Sequence, residues 1–507
     1  MTTTADLVVM DRYSYLDVLV VHAIWDEWGL DDVFKHNGRK DIDVAAIARI
    51  LTVNRCLDPL AKSQRRGGFA VRHSPGSWIP IPIRSILRES SGSWRLSRTI
   101  RNPSASICTG SCVWMIPRRC KEGYGHNVVL ALVVNRDGLP FYWEVLPRGT
   151  ADAKMITCLL ERFQERFEVS KMTLVFDRGM VSEDNLLLLE QAKVKYISAM
   201  DKSQMEKISG LDFQQFSAMD PDHTDEQFPL FTKLNDAAYY CEVPGNEGRR
   251  YILCFNPQLF RDQRQARCQA ITDFRAFVDM MNQELLAAKH YRQYQAAYDK
   301  FKRRLVKVKL SGFAELKLHP IQILKKAASG KEGTFEGVIE IDEEALQTAG
   351  RLDGFWLLVT NHTEQDDGAY KLSPRDVITP YRKKVVIESA FRNIKSFIEV
   401  APMYIWTAEH VRAHFTICVL SHLINRTLTL HLHRQPGRLT KDVVSHEKLY
   451  QALSKCQIDH IRVKNVGIET CNLTYQTDDQ KELLDRIGLT MTRNSEVLHK
   501  ARAALNA

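Results

Sequence analysis

Between residues 123 and 199 the apolar residues change period repeatedly, and that alternation restricts the chain to few folds. The run 128–134, Val-Val-Leu-Ala-Leu-Val-Val, is continuously apolar, as in a strand buried on both faces. Asn135-Arg-Asp-Gly138 is a turn sequence and 139–146 returns as a second strand, which predicts a hairpin. Over 151–167, Met155, Ile156, Leu159, Leu160 and Phe163 recur at helical spacing. A strand is predicted over 172–176, ending at Asp177. Ser182 is placed to cap a helix running to about residue 192, and 194–199 reads as a further strand. The order β-β-α-β-α-β predicts an α/β domain.

The flanking sequence is of other kinds. Residues 1–62 read as helical, with Leu16, Leu19, Val20, Ala23 and Ile24 on one face and a second helix over 42–53. Plain packing and a DNA-end-binding head are equally open for this region. Residues 211–350 read as an inserted mixed domain. It has short strands at 237–243 and 251–255, a long charged helix over 261–304, and strands at 305–310 and 337–342. Lys300, Lys302, Arg303, Arg304, Lys307 and Lys309 are either nucleic-acid contacts or a solvated helix face. Residues 355–360 form a strand that returns to the main sheet, Pro380 stands where a helix can begin, and 411–432 is an apolar helix. Residues 436–507 read as helical.

Charge and cysteine content exclude more than they assign. A formal net charge of +9 over 507 residues only mildly favours a polyanionic partner. Eleven cysteines, with no Cys-x-x-Cys pair, fit reduced thiols in a cytoplasmic protein better than a disulfide framework or a zinc site. The first residues, Met1-Thr-Thr-Thr-Ala-Asp6, lack a basic stretch followed by an apolar one, so no secretory signal is expected. The longest clean apolar run, 128–134, is too short to cross a bilayer.

One stretch does not match the rest. Over 63–120 arginines stand at positions 65, 66, 72, 84, 88, 95, 98, 101, 118 and 119, while Glu89 is the only acid. Serines, prolines, Trp78, Trp94 and Trp114 are scattered without helical or strand period. A basic DNA-binding arm is one reading and a disordered linker is another, although three tryptophans argue against the linker. The reading favoured here is that two compensating frameshifts, or an error in the gene sequence, replaced 63–120.

The chemistry concentrates in Tyr381-Arg-Lys-Lys-Val-Val-Ile-Glu-Ser-Ala-Phe-Arg-Asn-Ile-Lys395. On one continuous helix, Tyr381, Lys384, Glu388 and Lys395 fall within an arc of roughly 60°. A carboxylate can hold a divalent metal, lysines can hold phosphates and a ring can stack on a base. Asp177, closing the strand in Phe176-Asp-Arg-Gly-Met180, is the candidate partner for Glu388, since strand ends are where α/β folds build sites. Taken alone, it equally reads as the cap of the next helix.

Gly123-Tyr-Gly-His126, the hairpin, Pro147-Arg-Gly-Thr-Ala-Asp152, Phe176-Asp-Arg-Gly-Met180, Asp353-Gly-Phe-Trp-Leu-Leu-Val-Thr-Asn361 and the Tyr/Lys/Glu/Lys stripe occur in this order. Together they resemble the bacterial insertion-sequence transposases of the DDE type, marked by a Tyr-x2-Arg-x3-Glu-x6-Lys signature. The resemblance spans roughly 16–62 and 123–432.

It implies an RNase H-like mixed sheet flanked by helices, split into 123–210 and 351–435 by the insertion. It also implies Mg²⁺ (or Mn²⁺) in a two-metal site and cut-and-paste transposition by phosphoryl transfer. The partners would be double-stranded DNA, as terminal inverted repeats and target, bound by a homodimer in the bacterial cytoplasm. Asp177 would be the second catalytic aspartate and Glu388 the catalytic glutamate, both ligating metal. Tyr381, Lys384 and Lys395 would contact DNA, with Lys384 standing where the family has arginine and so lacking the bidentate fork. Asp152 matches another recurrent acid but reads better as a helix cap.

The chain departs from the pattern at one point. The family's first catalytic aspartate lies on the first core strand, just before the Gly-Tyr-Gly-His segment. Here no aspartate occurs between Asp58 and Asp137. Glu122 lies outside the expected strand, and Asp137 belongs to the hairpin turn. Read as written, the chain is expected to lack both the first acid and the first core strand. The competing function is a non-catalytic DNA-binding protein or transposition inhibitor. An RNase H-like nuclease without strand transfer and a functionless product are further readings.

Overall fold

Asn135 builds the hairpin turn with its own side chain. In the computed structural model its Oδ1 accepts the N–H groups of Asp137 and Leu139, both at 3.0 Å. The Gly138 N–H closes onto the Asn135 carbonyl at 2.9 Å, and Gly138 takes φ +81°, which a glycine adopts without penalty. The structure describes residues 7–35, 43–57, 107–110, 116–117, 127–147, 156–157, 159–160, 172–205, 231–235, 238–243, 248–287, 293–322, 333–398, 408–434, 445–463 and 469–489. Among them no helix is long and apolar enough to cross a membrane. The chain divides into two units, Met1–Tyr196 with Thr379–Ala507, and Ile197–Ile378.

The first unit is mixed α/β. Strands Asn127–Val134 and Pro140–Pro147 pair antiparallel, and Leu130, Ala131, Leu132, Val133 and Val134 are all buried, so this strand is covered on both faces. Its other neighbour corrects an expectation. The anomalous stretch does contribute a core strand: Ile107–Gly110 pairs antiparallel with Asn127–Val134 and parallel with Thr173–Phe176. Apolar and β-branched residues suit a strand held between two ladders. Beyond this strand and Ile116–Pro117, residues 63–120 lie outside the described residues, as do Gly123–His126 and Asp152.

Helices pack on this sheet and on one another. Ile387, Ala390 and Phe391 share a core with Leu130, Leu132, Val134 and Phe415. The helices Leu16–Glu27, Leu30–Lys35 and Val44–Leu57 form a second core with Ala408–Arg434, through Trp25, Leu30, Cys56, Leu423 and Ile424. The terminal regions, read as helical, also hold strands. Leu7–Ser14 pairs with Gln457–Val463, which pairs with Glu469–Leu473.

Among the described residues, the second unit combines strands of the ten-stranded sheet with a helical layer, and 355–360 lies in that sheet as expected. Arg250–Phe255 lies between Ala238–Val243 and Phe355–Thr360, and the last of these pairs with 197–199. Helices Pro257–Ala287 and Tyr294–Lys307 pack Phe274, Val278, Met281, Phe301 and Leu305 against Leu316 and Leu318 of the hairpin Ala314–Gln322/Gly333–Ile341. The strand expected at 305–310 is instead a helix end. The Leu310 N–H reaches back to the Leu305 carbonyl at 3.2 Å over Lys309, which sits at φ +60°. Among the basic candidates, Lys300 pairs with Glu284 at 2.9 Å and Arg303 bonds the Asp299 carbonyl at 3.1 Å.

A buried ion pair ties this unit's long helix to the sheet. Arg267 grips the fully buried Asp353 through two bonds of 2.8 and 2.7 Å. The next residue, Gly354, takes φ +74°, and an added Cβ would meet Phe255 and Phe260 at 2.7 Å and the Asn256 carbonyl at 2.9 Å. Gly354→Ala is therefore expected to cost about 2 kcal/mol or more of unfolding free energy in a denaturant titration.

Candidate functional site

The predicted single helix over 381–395 is three segments. Pro374–Arg382 is α-helical, Val385–Arg392 is α-helical, and Asn393–Phe397 is a π turn. Pro380 lies inside the first segment and does not begin it. It offers no N–H and its ring crowds the carbonyl of residue 376, so the helix gives way just beyond it. Tighter bonds bridge the break: Lys384 N–H to the Tyr381 carbonyl at 3.2 Å and Ile387 N–H to the Lys384 carbonyl at 2.9 Å. The π turn closes with Ile398 N–H on the Asn393 carbonyl. The shared arc therefore does not survive, because both irregularities rotate the positions relative to one another.

The break brings other signature residues together. The Lys384 ammonium donates to Asp177 Oδ1 at 2.6 Å and to the Tyr381 hydroxyl at 3.2 Å, and lies 4.7 Å from the Tyr381 ring centre. Asp177 stands at the end of Thr173–Phe176. Its Oδ1 also accepts the Arg178 N–H at 2.9 Å, capping the turn Arg178–Met180. It thus closes the strand and caps the short turn that follows, while Ser182 caps the next α-helix. Tyr381 is buried, and the Lys384 and Asp177 side chains are 23% and 47% exposed.

Partial burial and pairing act in opposition here. Burial alone would raise the Asp177 carboxyl, but the Lys384 hydrogen bond and charge, with the Arg178 N–H, hold it below the usual carboxylate range. Burial alone would lower Lys384, yet Asp177 and Tyr381 hold it above the ordinary ammonium value. Burial pushes the Tyr381 phenol up, against the nearby ammonium.

Glu388 and Lys395 are exposed, on the second helix and in the π turn, and no contact among the described residues joins Glu388 to Asp177. Nor do three or more His, Cys, Asp or Glu side chains of the described residues converge as ligands of one ion. With Asp177 Oδ1 already accepting two donors, these residues as placed do not fit a two-metal centre.

A polar relay beside the signature escaped the sequence reading. His422 Nδ1 meets Asn393 Oδ1 at 3.1 Å, Asn393 Nδ2 meets His446 Nε2 at 2.9 Å, and His446 Nδ1 meets Thr429 Oγ1 at 3.3 Å. Thr429 in turn donates to the Asn425 carbonyl at 2.9 Å. The chain of bonds requires Nδ1–H on both imidazoles and a bare, accepting Nε2 on His446, a tautomer assigned from the network. It ties the π turn to the helices Ala408–Arg434 and His446–Leu453. Burial pushes His422 down to about 3 and lowers His446 as well. The lone signal in the sequence was an Asn and two His in otherwise apolar helical surroundings.

No protein-family model matches the chain, and no curated protein matches it. A solved structure, the cryo-EM structure of a piggyBac transposase synaptic complex with hairpin DNA, is similar over 86% of this chain and 70% of that chain. Its TM-score is 0.31 and its identity 9%, a likeness too weak to carry any argument.

Proposed function

We propose that the chain is an insertion-sequence transposase by descent, with an RNase H-like core, and that it binds DNA ends with strand transfer weak or absent. The observation that carries this reading is the strand Ile107–Gly110. It runs parallel beside Thr173–Phe176, where the family's first acid belongs, and its sequence Ile-Cys-Thr-Gly offers no carboxylate. A phosphoryl-transfer centre built on three acids is one short. The meeting of Lys384 with Asp177 across 207 residues, with the Tyr381 hydroxyl on the same ammonium, supports the transposase-like arrangement. Lys395 and Glu388, both exposed, remain assigned as a DNA contact and as the vestigial catalytic glutamate.

The test uses the purified full chain and duplexes carrying the ends of its own element. Retardation that weakens with salt is expected, with neither cleavage nor joining in Mg²⁺ or Mn²⁺. Asp177→Ala is expected to leave binding within about twofold, because positioning on DNA rests on phosphate contacts by cations. Robust Mg²⁺-dependent cleavage would overturn the inactive assignment, and failure to retain DNA would remove the binding function.

A further inference from the structure

The disagreement between Asp177 and a metal centre has a structural cause in Lys384. We infer that the Lys384 ammonium is a built-in counter-cation seated on Asp177, and that it excludes a divalent ion from this carboxylate. The inference rests on the reading of Asp177 as the strand-end acid of a transposase-like core.

Three observations make the seat a cation's seat. The ammonium touches Asp177 Oδ1 at 2.6 Å, the Tyr381 hydroxyl at 3.2 Å and the negative face of the same ring at 4.7 Å. These are an anionic oxygen, a neutral oxygen and a π cloud, all converging on one positive charge. The backbone fixes the arrangement, since Lys384 occupies the break between two helices and Asp177 is held by the Arg178 N–H. Oδ1 therefore already accepts two donors, and an ion approaching Oδ2 would lie within a few ångströms of the ammonium, strongly repelled in a half-buried site.

Residue type matters here. Lysine carries a compact point charge that can occupy a metal-like position on one oxygen, whereas a guanidinium spreads its charge over a planar fork. The lysine in place of the signature arginine thus alters what Asp177 can bind.

Mn²⁺ binding followed by electron paramagnetic resonance, without DNA, tests this on the full chain. Wild type and Asp177→Asn are expected to take up Mn²⁺ alike, since Asp177 contributes nothing while Lys384 is seated. Lys384→Gln is expected to gain one site at least tenfold tighter than any Asp177-dependent site in wild type. Adding Asp177→Asn should abolish that gain, and Lys384→Arg, whose charge is spread over a planar fork, should bind Mn²⁺ more tightly than wild type and less tightly than Lys384→Gln. A drop in Mn²⁺ binding of wild type on Asp177→Asn overturns the inference, as does a folded Lys384→Gln chain with unchanged binding. Should Lys384→Gln fail to fold, the wild-type against Asp177→Asn comparison still decides. DNA retention plays no part in these measurements, so their failure is separable from failure of the proposed function.

Discussion

Arg250→Met is expected to destabilise the unit 197–378 by about 3–5 kcal/mol, the range for removing one partner of a buried charge pair. Only 2% of the Arg250 side chain is exposed. Its Nε donates to Glu242 at 2.6 Å, and one terminal nitrogen donates to the carbonyls of His362 and Leu372, both at 2.8 Å. The guanidinium also lies 3.6 Å from the Tyr370 ring centre. One arginine thus ties a neighbouring strand to both sides of the short hairpin formed by Gln365–Asp366 and Ala369–Tyr370. Methionine fills much of the volume but donates nothing, so two carbonyls and a carboxylate lose their donor at once. Arg250→Lys is expected to recover less than half of the loss, because a point charge cannot serve three acceptors set in a fork's directions. Urea titration of both variants measures this. A loss below about 1 kcal/mol for the methionine variant would mean that the hairpin is held by something else.

How far the sequence carries depends on the range of the interaction. The turn at 135–138 is legible because Asn135 and Gly138 act within four residues. The Ser182 cap is legible for the same reason, its Oγ accepting the Asn185 N–H at 3.2 Å. The strand ending at Asp177 is also local. The pairing of Leu7–Ser14 with Gln457–Val463 is not, since Arg12 meets Asp459 across 447 residues. Periodicity misleads at 305–310, where Val306, Val308 and Leu310 alternate as in a strand. Leu305 instead continues the helical face of Ala297 and Phe301, and core packing overrides the local pattern. The same limit applies at the site. Spacing alone places Tyr381, Lys384, Glu388 and Lys395 on one stripe, but Pro380 and the π turn divide it. Asp177 is recognisable as a strand-end acid, whereas its pairing with Lys384 is a tertiary fact.

Acid should weaken the first unit through the buried histidine relay. His422 is held at about 3 in the folded chain against 6.5 for an unhindered imidazole, so the unfolded chain binds the extra proton between those values. Stability is then complete above about pH 6.5 and is lost as pH falls toward 3, on the order of 3 kcal/mol by pH 4.5. The groups around His422 leave it little relief. Arg426 and His446 disfavour its charge, and only the Gly138 backbone favours it. His446 shifts in the same direction, with Glu447 opposing burial and Arg426. Protonation of His446 would also set a donor against Asn393 Nδ2, breaking the relay where it anchors the π turn. His422→Gln can still donate to Asn393 but cannot titrate. Its unfolding free energy should therefore fall less steeply than wild type between pH 6.5 and 4.5, the shared carboxylates contributing equally to both. Parallel acid limbs for the two proteins would remove His422 as the cause and leave the acid sensitivity to the carboxylates.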